Sequence, residues 1–168
     1  MNQKPNLILF CGLPGSGKTT LAKWLENKGE GIRICTDEWQ NDLEMNNNDN
    51  NFHLKLQGRL YEFALDLIKH GQDVILEDGL WKQSERIEKL TDGKKHGAKV
   101  KLYLFNLTFE EIWERLDARN NKDKSGLARI TKVELEKYWN KFEKPTNEEL
   151  ETFDEFEIID NENKTFFY

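Results

Sequence analysis

The sequence predicts a single α/β domain, a parallel five-stranded sheet with helices on both faces. Three observations carry that expectation. Short apolar runs at 7–10, 32–35, 74–76, 100–105 and 156–159 alternate with segments of helical periodicity. Each run gives way within two residues to Gly, Asp or Asn, as strands feeding loops do. The length, 168 residues, suits one domain of that design.

Leu7-Ile8-Leu9-Phe10 is wholly apolar, as a strand buried on both faces should be. Directly after it stands Gly12-Leu13-Pro14-Gly15-Ser16-Gly17-Lys18-Thr19, spaced G-x-x-x-x-G-K-T, and then a helical pattern from Thr20 to Lys28. Strand, loop and helix in that order are the context a phosphate-binding loop requires. Its glycines let successive backbone N–H groups point into one concavity that can hold a β-phosphate. Gly12, Pro14, Gly15, Ser16, Gly17, Lys18, Thr19 and Thr20 are therefore the candidate nucleotide-binding residues. Lys18 is expected to bridge β- and γ-phosphate oxygens, and the Thr19 hydroxyl to ligate Mg²⁺. ATP and Mg²⁺ are the expected cofactors.

The second run, Ile32 to Cys35, leads into Thr36-Asp37-Glu38-Trp39-Gln40. Asp37 has two readings that do not exclude each other. With Gln40 three residues on, it fits a capping box. At the carboxyl end of a strand it would also face a γ-phosphate and could accept the proton of an attacking hydroxyl. Asn46 to Asn51 is a polar stretch before a helix expected from Phe52 to Lys69; it reads as an expanded surface loop or a flap over an acceptor.

Glu77 and Asp78 close the third run. One of them is expected near the metal beside Thr19; otherwise both face solvent or cap the following helix. After the fourth run, a helix from Thr108 to Arg119 carries Arg115 and Arg119 four residues apart on one face. Guanidinium groups suit phosphates and flat bases. The competing role for Arg115 is an ion-pair ladder with Glu111. A short polar lid is expected at about 120–128, with Arg129 beyond it as a weaker third cation. The last run alternates in part and reads as an edge strand.

Composition narrows the class. Apolar residues make up 37% and charged residues 33%, so the core must be compact and the helices well solvated. A net charge of −6 disfavours long nucleic acid as a partner but leaves room for a nucleotide or short oligonucleotide. Cys11 and Cys35 are expected to be reduced thiols near the nucleotide. No export signal or spanning stretch is evident, so the expectation is a soluble cytoplasmic protein without membrane partners. The histidines are scattered and imply no zinc site. The tryptophans fall on five helical segments and read mainly as packing residues, with Trp39 and Trp81 as possible acceptor-site walls. Asn121-Lys122-Asp123-Lys124 has its Asp one place too early for a guanine-reading motif, so adenine is favoured.

These residues reach a family. The chain resembles the small P-loop kinase-like ATPases grouped with polynucleotide kinase, zeta toxin and chloramphenicol phosphotransferase. The likeness covers nearly the whole chain. It rests on Gly12 to Thr19, Thr36-Asp37-Glu38-Trp39, Val74 to Trp81 with Glu85-Arg86, Trp113 to Asn120, Tyr138-Trp139, and Phe142-Glu143-Lys144-Pro145. It implies a three-layer P-loop NTPase fold of the nucleoside-monophosphate-kinase kind, strand order 2-3-1-4-5. It further implies Asp37 as base toward an acceptor hydroxyl, Arg115 beside adenine and Arg119 on the phosphates. One departure stands out: relatives often have Asp then an aromatic where this chain has Glu77-Asp78.

The expectation is therefore a kinase that moves the γ-phosphate of ATP to a hydroxyl of a small-molecule or nucleotide-like acceptor, with Lys18, Asp37 and Arg119 as its catalytic residues. The competing readings are a nucleotide-dependent switch without such an acceptor, a polynucleotide 5′-kinase, and a toxin acting on nucleotide sugars.

Overall fold

The computed structural model describes residues 4–46, 49–122 and 129–161. Asn47 and Asn48 of the Asn-rich stretch, and 123–128 of the expected lid, lie outside that set.

The strands are β1 (Asn6–Cys11), β2 (Ile32–Ile34), β3 (Val74–Leu76), β4 (Lys99–Phe105) and β5 (Glu155–Ile159). They form one sheet in the order β2-β3-β1-β4-β5, with every pairing parallel. The helices are α1 (Lys18–Asn27), α2 (Thr36–Asp42), α3 (Asn50–Lys69), α4 (Gln83–Lys95), α5 (Phe109–Lys122), α6 (Lys132–Trp139) and α7 (Asn147–Leu150).

Alternation along β1 explains the layers. Leu7, Leu9 and Cys11 face one side and pack with Leu60, Ala64 and Ile68 of α3, Leu90 of α4, and Leu150 of α7. Ile8 and Phe10 face the other side, against Leu21, Ala22 and Leu25 of α1 and against Tyr103 and Ile159. A strand apolar on both faces must lie mid-sheet, and β1 does. A smaller cluster of Leu13, Leu107, Ile112, Leu116 and Leu135 extends the core under the phosphate-binding loop. β5 is an edge strand, as its partial alternation predicts, and it leaves Phe156 exposed.

Four expectations need correction. The capping box at Asp37 does not form: α2 starts at Thr36 with Cys35 as its N-cap, which puts Asp37 inside the first turn. Gln40 is buried instead, donating to Asn46 O at 2.8 Å and meeting His53 Nδ1 at 2.8 Å. Residues 120–122 of the expected lid are the last turn of α5, and Asn120 Nδ2 reaches across to Ile130 O at 2.8 Å. Trp81 lies in the loop before α4, not on a helix. The Glu111–Arg115 ladder is absent: Glu111 accepts from its own helix start, Thr108 N, at 2.7 Å. Among the described residues, no helix is long and apolar enough to cross a membrane.

Candidate functional site

The carboxyl ends of β1, β2 and β3 converge on the loop between β1 and α1. Gly15 (φ 82°) and Gly17 (φ 108°) take left-handed conformations that glycine adopts without strain. Space is also closed there: a Cβ on Gly15 would stand 2.7 Å from Leu116 Cγ. Gly17 is the N-cap of α1 and offers no capping side chain, so the first-turn N–H groups are left for an anion. Ser16 Oγ is buried without a hydrogen-bond partner among the described residues. Lys18 Nζ folds back and donates to Gly12 O at 3.0 Å and Leu13 O at 2.9 Å. Burial lowers its pKa to about 8, although Glu77 and Asp37 draw it upward.

Glu77 and Asp78 part company. The Glu77 carboxylate is buried and splits its oxygens: Oε1 accepts from the Thr19 hydroxyl at 2.5 Å, and Oε2 from Arg33 Nη1 at 2.5 Å. Asp78 turns toward α2 and α3, where Oδ1 accepts from Thr36 Oγ1 at 3.2 Å. Burial there pushes its carboxyl above the ordinary range, against hydrogen bonds from Gln57 and Thr36. A hydroxyl beside a carboxylate is an all-oxygen pair suited to a hard divalent cation that keeps several waters. Thr19 and Glu77 therefore fit Mg²⁺.

Arg115 reaches the loop from α5, with Nη1 donating to Ser16 O at 2.8 Å and Nη2 to Asn161 Oδ1 at 3.2 Å. It thus ties the loop to the segment after β5. Arg119 lies one turn farther along α5, half-buried, while Arg129 is exposed. On the other side of the loop, the Asp37 side chain is 79% exposed, with His53 Nδ1 3.8 Å from its carboxylate. Trp39 beside it is exposed as well. Trp81 is not an open wall: its Nε1 donates to Gly12 O at 3.2 Å, and its ring packs on Tyr138. Cys11 and Cys35 are buried free thiols, pushed by burial to about 12.

Three charged residues shape this site without having been singled out for it. Arg33 is one. The others are Arg86, fully buried, and Glu149, which form a two-pronged pair at 2.5 and 3.1 Å. Arg86 Nη1 also donates to Leu80 O and Trp81 O at 3.1 Å each. The loop that carries Trp81 to Gly12 is thereby held from below. Glu143 completes this collar: its N–H donates to Trp81 O at 2.9 Å, and its carboxylate accepts from Gln83 N at 2.8 Å.

The family described as AAA domain matches residues 7–145, from β1 through the collar. The chain belongs to that family. Solved structures carry the same fold as this AAA domain. Kti12 of Chaetomium thermophilum, in complex with ADP-AlF3, superposes with a TM-score of 0.71 at 17% identity, covering 95% of this chain and 91% of that one. APS kinase CysC of Mycobacterium tuberculosis, in complex with AMPPNP and APS, gives 0.60 at 16% identity, covering 92% and 88%. A chain of the Pnkp1/Rnl/Hen1 RNA repair complex gives 0.69 at 20% identity, and this chain spans 84% of its own length but 45% of that one. A 45-residue stretch is 49% identical to the signal recognition particle 54 kDa protein of Methanothermobacter thermautotrophicus, covering 24% of this chain and 10% of that protein. The family and the superposed structures agree on the three-layer P-loop NTPase fold.

Proposed function

We propose that this AAA domain is an ATP- and Mg²⁺-dependent phosphotransferase that moves the γ-phosphate to a hydroxyl of a small-molecule acceptor. One observation supports the reading most directly. The phosphate-binding loop and the Thr19–Glu77 pair stand at the carboxyl edge of the sheet, and the next strand end over presents Asp37 to solvent. That leaves a carboxylate open to an incoming hydroxyl beside the place where a γ-phosphate would rest.

Each residue then has a task. The N–H groups from Gly15 to Thr20 bind phosphate oxygens, with Gly12 and Pro14 shaping the turn. Lys18 exchanges its two backbone carbonyls for β- and γ-phosphate oxygens. Thr19 and Glu77 would hold Mg²⁺, which when bound neutralises charge on those oxygens. Arg115 lies against the base, and Arg119 meets the phosphates. Asp37 accepts the acceptor's proton as its oxygen bonds to the γ-phosphorus and the bond to the β-phosphate oxygen breaks, releasing ADP. Asp78 serves the acceptor side, away from the metal, through Thr36 and Gln57.

The test is ADP release with Mg²⁺ across nucleosides, aminoglycosides, nucleotide sugars and a 5′-hydroxyl RNA oligonucleotide, with mass spectrometry of the product. Stimulation together with a phosphorylated acceptor supports the reading. ATP turnover that yields free phosphate with every compound overturns it in favour of a nucleotide-dependent switch.

A further inference from the structure

Arg33 occupies an unusual place for a strand arginine. It lies in β2, which pairs in parallel with β3, and Glu77 N donates to Ile34 O at 2.8 Å just past the last paired residues. The side chain is 10% exposed and meets three carboxylates. Nε donates to Glu26 of α1 at 3.0 Å, Nη2 pairs with Glu38 of α2, and Nη1 donates to Glu77 at 2.5 Å. Glu38 is shared with Lys23 of α1 at 2.9 Å. One guanidinium thus joins α1, α2 and the end of β3.

The arm to Glu77 differs in kind from the other two. Glu26 and Glu38 are partly exposed and can be solvated without Arg33. The Glu77 side chain is 3% exposed, and one of its oxygens is spent on the guanidinium. A glutamate has one more rotatable bond than an aspartate, so its carboxylate needs a second hold to keep a fixed direction. The rigid fork of an arginine supplies that hold. With Oε2 on Arg33, Oε1 is left facing the Thr19 hydroxyl.

We propose that Arg33 is a positioning residue for the metal site: it fixes the Glu77 carboxylate so that Oε1 is presented beside Thr19. The inference rests on the reading of Thr19 and Glu77 as the Mg²⁺ residues. Arg33 touches neither nucleotide nor acceptor and acts only through Glu77. Residues that orient a metal-holding carboxylate are worth roughly 10- to 100-fold in metal affinity when removed.

The experiment measures ATP affinity by calorimetry in Mg²⁺ and in EDTA, for wild type, Arg33→Gln, Arg33→Lys, Glu26→Gln and Glu77→Gln. The readout is the ratio of the two affinities, the tightening that Mg²⁺ brings. Arg33→Gln is expected to cut that ratio by about 10-fold, with affinity in EDTA held within about 2-fold. Arg33→Lys keeps the charge, guards against a variant that fails to fold, and should recover part of the ratio. Glu26→Gln breaks another arm of the same guanidinium and should leave the ratio unchanged. A full ratio in both Arg33 variants, or an equal loss in Glu26→Gln, would show a mere strut and overturn the inference. A raised ratio in Arg33→Gln overturns it too, because charge repulsion would then outweigh orientation. If Glu77→Gln keeps the full ratio, the metal reading falls and this inference with it. Loss in Glu77→Gln but not in the Arg33 variants removes only the role of Arg33.

Discussion

The two halves of the site are built differently. On the nucleotide side four polar side chains are tied down: Thr19 to Glu77, Glu77 to Arg33, Arg115 to Ser16 O, and Trp81 to Gly12 O. On the proposed acceptor side Asp37 stands largely in solvent, Trp39 is about half exposed, and α2 spans 7 residues. Under the proposed phosphotransfer, the difference tracks the ligands. A triphosphate is the same molecule in every turnover, so a rigid, prepaid arrangement favours its binding. An acceptor must enter, react and leave, and a half-open surface gives it a path at the cost of selectivity.

The contrast can be broken from the rigid side first. Replacing Arg86 with Met leaves Glu149 charged and buried, so stability should fall by about 3–5 kcal/mol. Urea unfolding measures this, and adding Glu149→Leu should restore most of the loss. An unchanged midpoint in the single variant would mean the pair does not support the collar. Next in size is Lys18→Ala, expected to slow phosphate transfer on the order of 10³-fold with the fold intact. Full activity there would undo the loop assignment.

Asp37→Asn tests the open side. It should slow transfer by about 10²-fold while ATP affinity stays put. An equal loss of ATP affinity would place Asp37 with the rigid half. The smallest effect sharpens the contrast through pH. The Lys18 ammonium loses its proton near pH 8 in the folded protein, against an ordinary value of 10.5. ATP affinity should therefore decline as pH rises through 8, and Lys18→Met should flatten that decline. The stability contribution has the opposite sign. Between 8 and 10.5 the unfolded chain keeps a proton that the folded one has released, so this group adds stability as pH rises in that window.

What the sequence made legible follows the same division. The glycine pattern and the apolar runs are local signals, and they located the loop, the sheet and the two arginines of α5. The resemblance added the strand order. Arg33–Glu77 and Arg86–Glu149 were illegible as pairs because their members lie 44 and 63 residues apart, with no periodicity to link them. Glu77 and Asp78 are adjacent just past the end of β3 and turn different ways, and only the observed partners tell which faces Thr19. Of the two readings of Asp37, the capping one fails: Asp then Gln three on is a common helix start, but α2 begins two residues sooner, with Cys35 as its N-cap.

The strand order has a consequence for how the chain comes into being. β1 is made first, yet both its neighbours, β3 and β4, come much later. On the ribosome the phosphate-binding loop emerges early and has no floor until residue 105 has followed. Gly15 packs on Leu116 and Leu13 clusters with Leu135, so the surroundings of the loop are complete only when α5 and α6 have been synthesised. Contacts this distant in sequence slow folding. Nucleotide can therefore act as a chaperone only late, stabilising a nearly finished chain and offering nothing to a nascent one.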